Sequence, residues 1–78
     1  MSPTMTRDST VGRIFFDDGA KLYTPGKWKV IHLNPQNPAE FVCRRLTGGV
    51  EVGECHEFDV GHVMREVMKT EKRDKGIL

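Results

Sequence analysis

Four side chains that can bind a metal ion or act as nucleophiles occur in the second half of the sequence. Cys43, Cys55, His56 and His62 give a C-x11-C-H-x5-H spacing. Thiolates and imidazoles are the usual zinc ligands, but a structural zinc site takes them in close pairs such as C-x2-C, because one tight turn must bring two ligands together. The sequence contains no such pair. It therefore predicts ordinary half-buried residues, with no metal and no cofactor.

The same residues are poorly arranged for nucleophilic catalysis. Cys55 and His56 are neighbours in a predicted strand, where adjacent side chains point to opposite faces. A catalytic Cys–His pair needs its thiol and imidazole within about 2.6–3.2 Å. Ser2 and Ser9 are the only serines, and both lie in the N-terminal arm, which argues against a serine triad. We therefore expect no enzymatic activity.

Length and composition allow one small domain. The chain has 78 residues, a net charge of +1 and 37% hydrophobic residues. Its longest apolar run, Ile14-Phe15-Phe16, is far shorter than the roughly twenty residues that cross a bilayer. Two cysteines are too few for a disulfide-rich secreted fold and indicate free thiols in a reducing compartment. We therefore expect a soluble, cytoplasmic protein that does not contact a membrane.

Five segments rich in β-branched and aromatic residues predict strands, with turns at the glycines and prolines between them. The predicted strands are residues 11–16, 21–24, 27–33, 40–46 and 50–58. Asp17-Asp18-Gly19 predicts a tight reversal, and Pro25-Gly26 is typical of a type II turn. In the third strand, Trp28, Val30 and His32 share one face, which we expect to be buried.

The last two strands flank Thr47-Gly48-Gly49 and predict a hairpin. A three-residue loop pairs Leu46 with Val50, whereas a two-residue loop of the two glycines pairs Leu46 with Glu51. Cross-strand pairs of like character or opposite charge contribute about 0.2–1 kcal/mol each, so we predict the three-residue loop. This register places Cys43 and Cys55 on the same face of the sheet and His56 on the other.

After Phe58 the hydrophobic period changes from two to three or four, which predicts a C-terminal amphipathic helix. Asp59 is a suitable N-cap, and Phe58 and Val63 then occupy the two positions of a hydrophobic staple. The apolar stripe of the helix consists of Val60, Val63, Met64, Val67 and Met68.

Five short strands followed by one helix predict a mainly β fold, a small five-stranded SH3-like antiparallel barrel capped by the C-terminal helix. The alternative is an OB-like barrel, but its helix normally lies between the third and fourth strands, where this chain has only a loop at residues 34–38. The predicted organisation is a flexible arm at 1–9, the barrel at 10–58, the helix at 59–73 and a flexible tail at 74–78.

The charges are unevenly distributed along the chain. Residues 47–60 contain four Asp or Glu and no Lys or Arg, whereas strands two to four combine basic and aromatic residues. Separate positive and negative regions are typical of protein recognition, so we predict a small non-enzymatic adaptor or inhibitor that binds another protein, as a monomer or homodimer. The alternative is a nucleic-acid-binding barrel that contacts phosphates with cations and stacks bases on aromatic rings. The candidate binding residues are Lys21, Tyr23, Lys27, Trp28, Lys29, Arg44 and Arg45.

Overall fold

The structure, a computed structural model, describes residues 6–19 and 25–74, without the side chains of residues 73 and 74. In chain order the elements are α1 (Arg7–Thr10), β1 (Ile14–Asp17), β2 (Gly26–Leu33), β3 (Glu40–Thr47), β4 (Val50–Asp59) and α2 (Val60–Asp74). The strands form one antiparallel sheet in the order β1-β2-β3-β4. A mainly β fold with a C-terminal helix is thus confirmed. The predicted strand at 21–24 lies outside the described residues.

The structure begins earlier, and its first strand later, than the sequence pattern indicates. Thr6 and Ser9 form a capping box, in which each side chain accepts a hydrogen bond from the other's backbone N–H, and this starts α1 inside the predicted arm. Gly12, with φ of 89°, then redirects the chain towards β1. The first strand consequently starts at Ile14 rather than at residue 11.

One face of the sheet carries the hydrophobic core. The fully or almost fully buried side chains are Phe15, Trp28, Val30, Phe41, Cys43, Phe58, Val63 and Val67. Helix α2 covers this face, packing mainly along β1 and also touching β3 and β4. In the part of the chain that the structure describes, neither helix has the length and apolar character needed to span a bilayer.

The predicted helix start is confirmed, and the apolar stripe is confirmed over most of its length. Asp59 Oδ2 accepts a hydrogen bond from the backbone N–H of His62 at 3.0 Å, which caps α2. The stripe ends earlier than predicted, because Met68 is 53% exposed while Thr70 is buried. The Thr70 hydroxyl accepts a hydrogen bond from the backbone N–H of Phe16 at 3.0 Å, so it ties the end of the helix to β1.

A bulge in β2 changes the face of its last residues. Val30 pairs with Cys43, but His32 rather than Ile31 pairs with Val42, so one extra residue is inserted. Trp28 and Val30 are buried, as predicted, whereas the prediction for His32 is wrong because that side chain is exposed. The extra residue lets Leu33 pack against the core instead.

The hairpin between β3 and β4 has the two-residue loop, so the predicted three-residue loop is wrong. Gly48 and Gly49 both have positive φ, 60° and 82°, and Leu46 pairs with Glu51. Two successive residues of positive φ are what the favoured type I′ hairpin turn requires, and glycine adopts them without steric cost. The backbone of the turn therefore outweighs the side-chain pairing on which the three-residue loop was predicted.

A second irregularity follows the hairpin. Residues 52–54 of β4 lie opposite Arg45 alone, because Leu46 pairs with Glu51 and Arg44 with Cys55. Beyond it, Cys43 pairs with His56. The predicted placement of the two cysteines on one face is therefore wrong: Cys43 is buried in the core, and Cys55 is exposed on the opposite face.

Candidate functional site

The sheet face opposite the core, called the outer face below, carries most of the charged side chains of the strands. Strand alternation places on it Ile14 and Phe16 of β1, Lys27 and Lys29 of β2, Val42, Arg44 and Leu46 of β3, and Glu51, Cys55 and Glu57 of β4. Helix α2 packs on the core face instead. Among the residues that the structure describes, no helix covers the outer face, which leaves it as the broad sheet surface facing away from the core.

Glu51 binds two of the candidate basic residues on the outer face. Its carboxylate oxygens lie 3.1 Å from Lys29 Nζ and 3.3 Å from Arg44 Nη1. The hydrogen bond donated by Lys29 is the main cause that lowers the pKa of Glu51, and Arg44 adds to it. These pairs neutralise positive charge that a phosphate-binding face would need.

The Arg44 guanidinium also contacts a thiol. Arg44 Nε lies 3.4 Å from Cys55 Sγ and donates a hydrogen bond to it. This hydrogen bond, followed by the attraction between the two groups, raises the pKa of Arg44. Across the sheet the same row continues through Lys29 to Ile14, so apolar, basic and thiol side chains are adjacent.

The candidate residues Trp28 and Arg45 lie on the core face. Trp28 is 0% exposed, and its ring contacts Phe58 and His56 at centroid distances of 4.9 and 5.6 Å. The Arg45 guanidinium carbon lies 4.5 Å from the centre of the indole, while Arg45 Nε lies 3.1 Å from a Glu54 carboxylate oxygen. A base cannot stack on the indole in this conformation because the ring is already covered on all sides.

The structure therefore does not bring the candidate binding residues together on one surface. Lys27, Lys29 and Arg44 lie on the outer face, and Trp28 and Arg45 lie on the core face. Lys27 is exposed and forms no ion pair with any residue in the described ranges. The other two candidates, Lys21 and Tyr23, lie outside the described residues.

A carboxylate–imidazole pair joins β1 to α2, and sequence analysis did not predict it. Asp17 Oδ1 lies 3.0 Å from His62 Nε2, and Asp17 Oδ2 accepts a hydrogen bond from the backbone N–H of Gly19 at 3.1 Å. The Asp17 side chain is only 7% exposed, and the imidazole stacks against the ring of Phe58. The pair is separated by 45 positions in sequence, so no local spacing could have indicated it.

The Asp17–His62 pair supplies two members of a nucleophilic triad but not the third. Within residues 6–19 and 25–74, no serine, threonine or cysteine side chain is hydrogen-bonded to His62. We interpret the pair as a structural link, in which a buried carboxylate is satisfied by an imidazole and a backbone N–H.

The cysteines and histidines of the sequence spacing do not converge on a metal site. Burial raises the pKa of the Cys43 thiol to about 12, and Cys55 adds to this effect, so Cys43 remains protonated. Cys55 lies on the other side of the sheet. No group of three or more His, Cys, Asp or Glu able to hold a metal ion occurs among the described residues.

Comparisons with protein-family models, with curated proteins and with solved structures give no match for this chain.

Proposed function

We propose that this chain is a small non-enzymatic module that binds another protein through its outer face. One observation carries the proposal: Lys29 and Arg44, two of the three cations of this face, are paired with Glu51, while Ile14 beside them remains accessible. Ile14, which pairs with Lys29 across the sheet, is 42% exposed. Accessible apolar side chains surrounded by ion-paired polar groups suit a protein interface, where a dry centre is bordered by polar residues.

The proposed architecture is the five-stranded SH3-like barrel, with residues 21–24 as its remaining strand. Contacts between the two ends of the sheet support it. Phe15 on β1 and Phe58 on β4 are 5.5 Å apart between ring centres, although β2 and β3 lie between their strands. A sheet must curl strongly to bring its first and last strands into contact, as a small barrel requires.

Nucleic-acid binding has less support from the same surface. Trp28 is buried, and Lys29, Arg44 and Arg45 each contact a glutamate. A single-stranded nucleic acid would have to displace these carboxylates and uncover the indole before it could use the predicted contacts.

Affinity capture with two matched variants tests the proposed function. Ile14→Glu places a charge on the outer face, and Val11→Glu places the same charge at an equally accessible position before β1, since the two side chains are 42% and 41% exposed. We expect protein partners from host lysate to survive nuclease treatment, to be lost with Ile14→Glu and to be retained with Val11→Glu. Trp28 fluorescence checks that both variants fold.

Two results would contradict the proposed function. If nuclease removes every partner, and single-stranded oligonucleotides bind the protein with a steep loss of affinity as salt increases, the protein-binding proposal is wrong. Equal retention of partners by the Ile14→Glu and Val11→Glu proteins would show that the outer face is not the interface.

A further inference from the structure

The side of helix α2 that faces away from the sheet carries a basic stripe, defined here by the exposed residues of the helix. These are Gly61, Arg65, Met68, Lys69 and Lys72. At 3.6 residues per turn they occupy about 100° of the helix circumference, opposite the buried Val63 and Val67. Because α2 covers the core face of the sheet, the basic stripe and the outer face lie on opposite sides of the molecule.

The helix is held firmly from its other side. The Thr70 hydroxyl and the Asp17–His62 pair tie it to β1. Arg13 Nη1 adds an ion pair at 2.7 Å from a Glu71 carboxylate oxygen. None of these contacts uses a side chain of the basic stripe. The stripe is therefore presented in a fixed orientation, and a partner does not have to order it on binding.

Two cations of the basic stripe have no counter-ion among the described residues. Arg65 and Lys72 form no ion pair with a described residue, whereas Lys69 Nζ lies 3.4 Å from a Glu66 carboxylate oxygen. The segments outside the described residues, 1–5, 20–24 and 75–78, contain no Asp or Glu. Position 74, the remaining acidic position, lies about two and a half turns beyond Arg65 and thus on the other side of the helix. The charge of Arg65 and Lys72 is therefore available to an anionic partner.

The apolar side of α2 is not available to a partner. Val63 and Val67 are fully buried against the sheet, so the helix cannot insert an apolar face into a membrane surface or into a hydrophobic groove. The accessible groups are the cations and Met68, which is 53% exposed between them. A partner must therefore combine negative charge with a small apolar contact.

A nucleic acid uses these groups poorly. The basic stripe has three cations, fewer than the roughly six to ten phosphate contacts typical of strong, salt-sensitive binding. Phosphates gain nothing from Met68, and the stripe contains no aromatic ring on which a base could stack. A protein segment uses both kinds of group, because carboxylates pair with the cations and an apolar side chain packs against the adaptable methionine.

The spacing of the basic stripe fits a helical partner. Arg65 and Lys72 are seven residues apart, about 10.5 Å along the helix, and Met68 lies between them. Side chains seven positions apart in a second helix share one face at the same distance. In a strand, side chains of one face are about 6.7 or 13 Å apart, which matches less well.

We propose that the basic stripe of α2 binds an acidic amphipathic helix of another protein, with Asp or Glu at positions i and i+7 on either side of an apolar residue. The carboxylates contact Arg65 and Lys72, and the apolar residue packs on Met68. This second interface goes beyond the proposed function, because it lies on the opposite side of the molecule from the outer face.

Titration of the full chain with synthetic helices, followed by amide NMR, tests the proposal. The probe is a capped peptide of about 18 residues with glutamate at i and i+7, leucine at i+3 and i+4, and alanine and glutamine elsewhere. One control has glutamine in place of each glutamate, and a second control moves the glutamates to the opposite face of the helix. We expect the probe to shift the amide signals of residues 61–72, and each control to bind about fivefold more weakly. Added salt should weaken binding of the probe, because the selecting contacts are exposed ion pairs.

Two charge-matched variants separate the basic stripe from the overall charge. Arg65→Glu reverses a cation of the stripe, and Lys27→Glu makes the same change of charge at an exposed cation of β2 that also forms no ion pair with a described residue. We expect Arg65→Glu to weaken binding of the probe about fivefold or more, and Lys27→Glu to have less than half that effect. Met68→Gln keeps the charge and removes the apolar contact, so it should weaken binding about threefold. Circular dichroism checks that the three proteins keep the fold.

Four results would overturn the inference: no signal change in residues 61–72, equal binding of the probe and its controls, equal effects of Arg65→Glu and Lys27→Glu, or tighter binding of a single-stranded oligonucleotide than of the probe at these residues. Binding that appears only after removal of residues 75–78 would also overturn it, because that segment would then be the occupant of the stripe.

The proposed function is judged separately from this inference. If lysate partners survive nuclease and are lost with Ile14→Glu while the probe does not bind, the outer face is an interface and the inference about α2 is wrong. If the probe binds as expected but Ile14→Glu retains every partner, the inference holds and the outer face is not the interface.

Discussion

Arg44 and Arg45 show how neighbouring side chains of one strand take different roles, because alternate residues face opposite sides of the sheet. The guanidinium of Arg45 covers the indole of Trp28, and its side chain is only 13% exposed, compared with 41% for the neighbouring Arg44. The backbone of Gly26 lies so close to Arg45 Nη1 that a side chain there would collide with it. Arg45 is thus part of the packing, while Arg44 is part of the surface.

Replacing each arginine in turn measures this difference. We expect Arg45→Ala to lower the free energy of unfolding by about 1–2 kcal/mol, because it removes a partly desolvated cation–π contact and the packing of the aliphatic stem. Arg44→Ala removes exposed contacts and should cost less than about 1 kcal/mol. Urea unfolding followed by Trp28 fluorescence gives both values. Equal losses would show that the contact with the indole does not stabilise the fold.

Cys43 should make stability fall at alkaline pH. Burial raises the pKa of its thiol in the folded protein to about 12 from the ordinary 9.0, so the unfolded chain loses this proton first as pH rises. The folded state then binds more protons than the unfolded state, and the free energy of unfolding decreases between these two pKa values by about 1.4 kcal/mol per pH unit.

Cys43→Ala provides the comparison for this alkaline effect. The variant starts from a lower stability because it leaves a small cavity, but its further loss above pH 9.0 should be smaller than that of the original protein. Unfolding by urea at several alkaline pH values measures both slopes. Identical slopes would mean that the buried thiol does not contribute to the pH dependence.

At the scale of the elements, the hairpin between β3 and β4 depends on its two glycines. Gly49 has φ of 82°, a conformation that costs other L-residues about 1–2 kcal/mol. Gly53, in the same strand, has no positive φ and open space where a side chain would be. We expect Gly49→Ala to destabilise the protein by about 1–2 kcal/mol and Gly53→Ala to be neutral or slightly stabilising, as measured by thermal or urea unfolding. If both substitutions cost the same, backbone strain at Gly49 is not the cause.

The elements also show which parts of the fold a sequence can indicate. The helix start at Asp59 and the strands from Lys27 onward follow from short-range patterns, and the structure has them close to the predicted bounds. The bulge before His32 and the irregularity opposite Arg45 were not predicted, because each arises from fitting a strand to its neighbours in a curled sheet. A shift of one residue reverses the face of the side chains beyond it, as it does for His32 and Cys55. The candidate binding residues are divided between two faces for a simpler reason: neighbouring residues of one strand point to opposite sides of the sheet.

At the scale of the whole molecule, ion pairs across strands reduce the uneven charge of the sequence. The acidic segment 47–60 forms β4, which lies next to β3 with its two arginines. Glu51 and Glu54 therefore contact cations of other strands, and the exposed negative charge that remains lies at Glu57 and Asp59. The charge separation that the sequence shows along the chain is thus much smaller on the folded surface.

The Glu51 ion pairs should make stability depend on acidic pH and on salt. Lys29, and then Arg44, lowers the pKa of Glu51 in the folded protein below the ordinary 4.5, so folding favours the charged carboxylate. The stabilisation is complete above pH 4.5 and is lost as pH falls through the lowered pKa of the folded state, because the unfolded chain takes up this proton first.

Glu51→Gln removes the titrating group with little change of shape. We expect the original protein to be more stable than this variant at about pH 7, the difference to shrink below pH 4.5 and at about 0.5 M salt, and the two proteins to converge once the pH lies below the lowered pKa of Glu51 in the folded state. Glu57→Gln is the control, since Glu57 lies on the same strand and forms no ion pair with a described residue. Urea unfolding at each pH measures all three proteins. A difference between the original protein and Glu51→Gln that does not change with pH would show that the carboxylate charge does not act through Lys29 and Arg44.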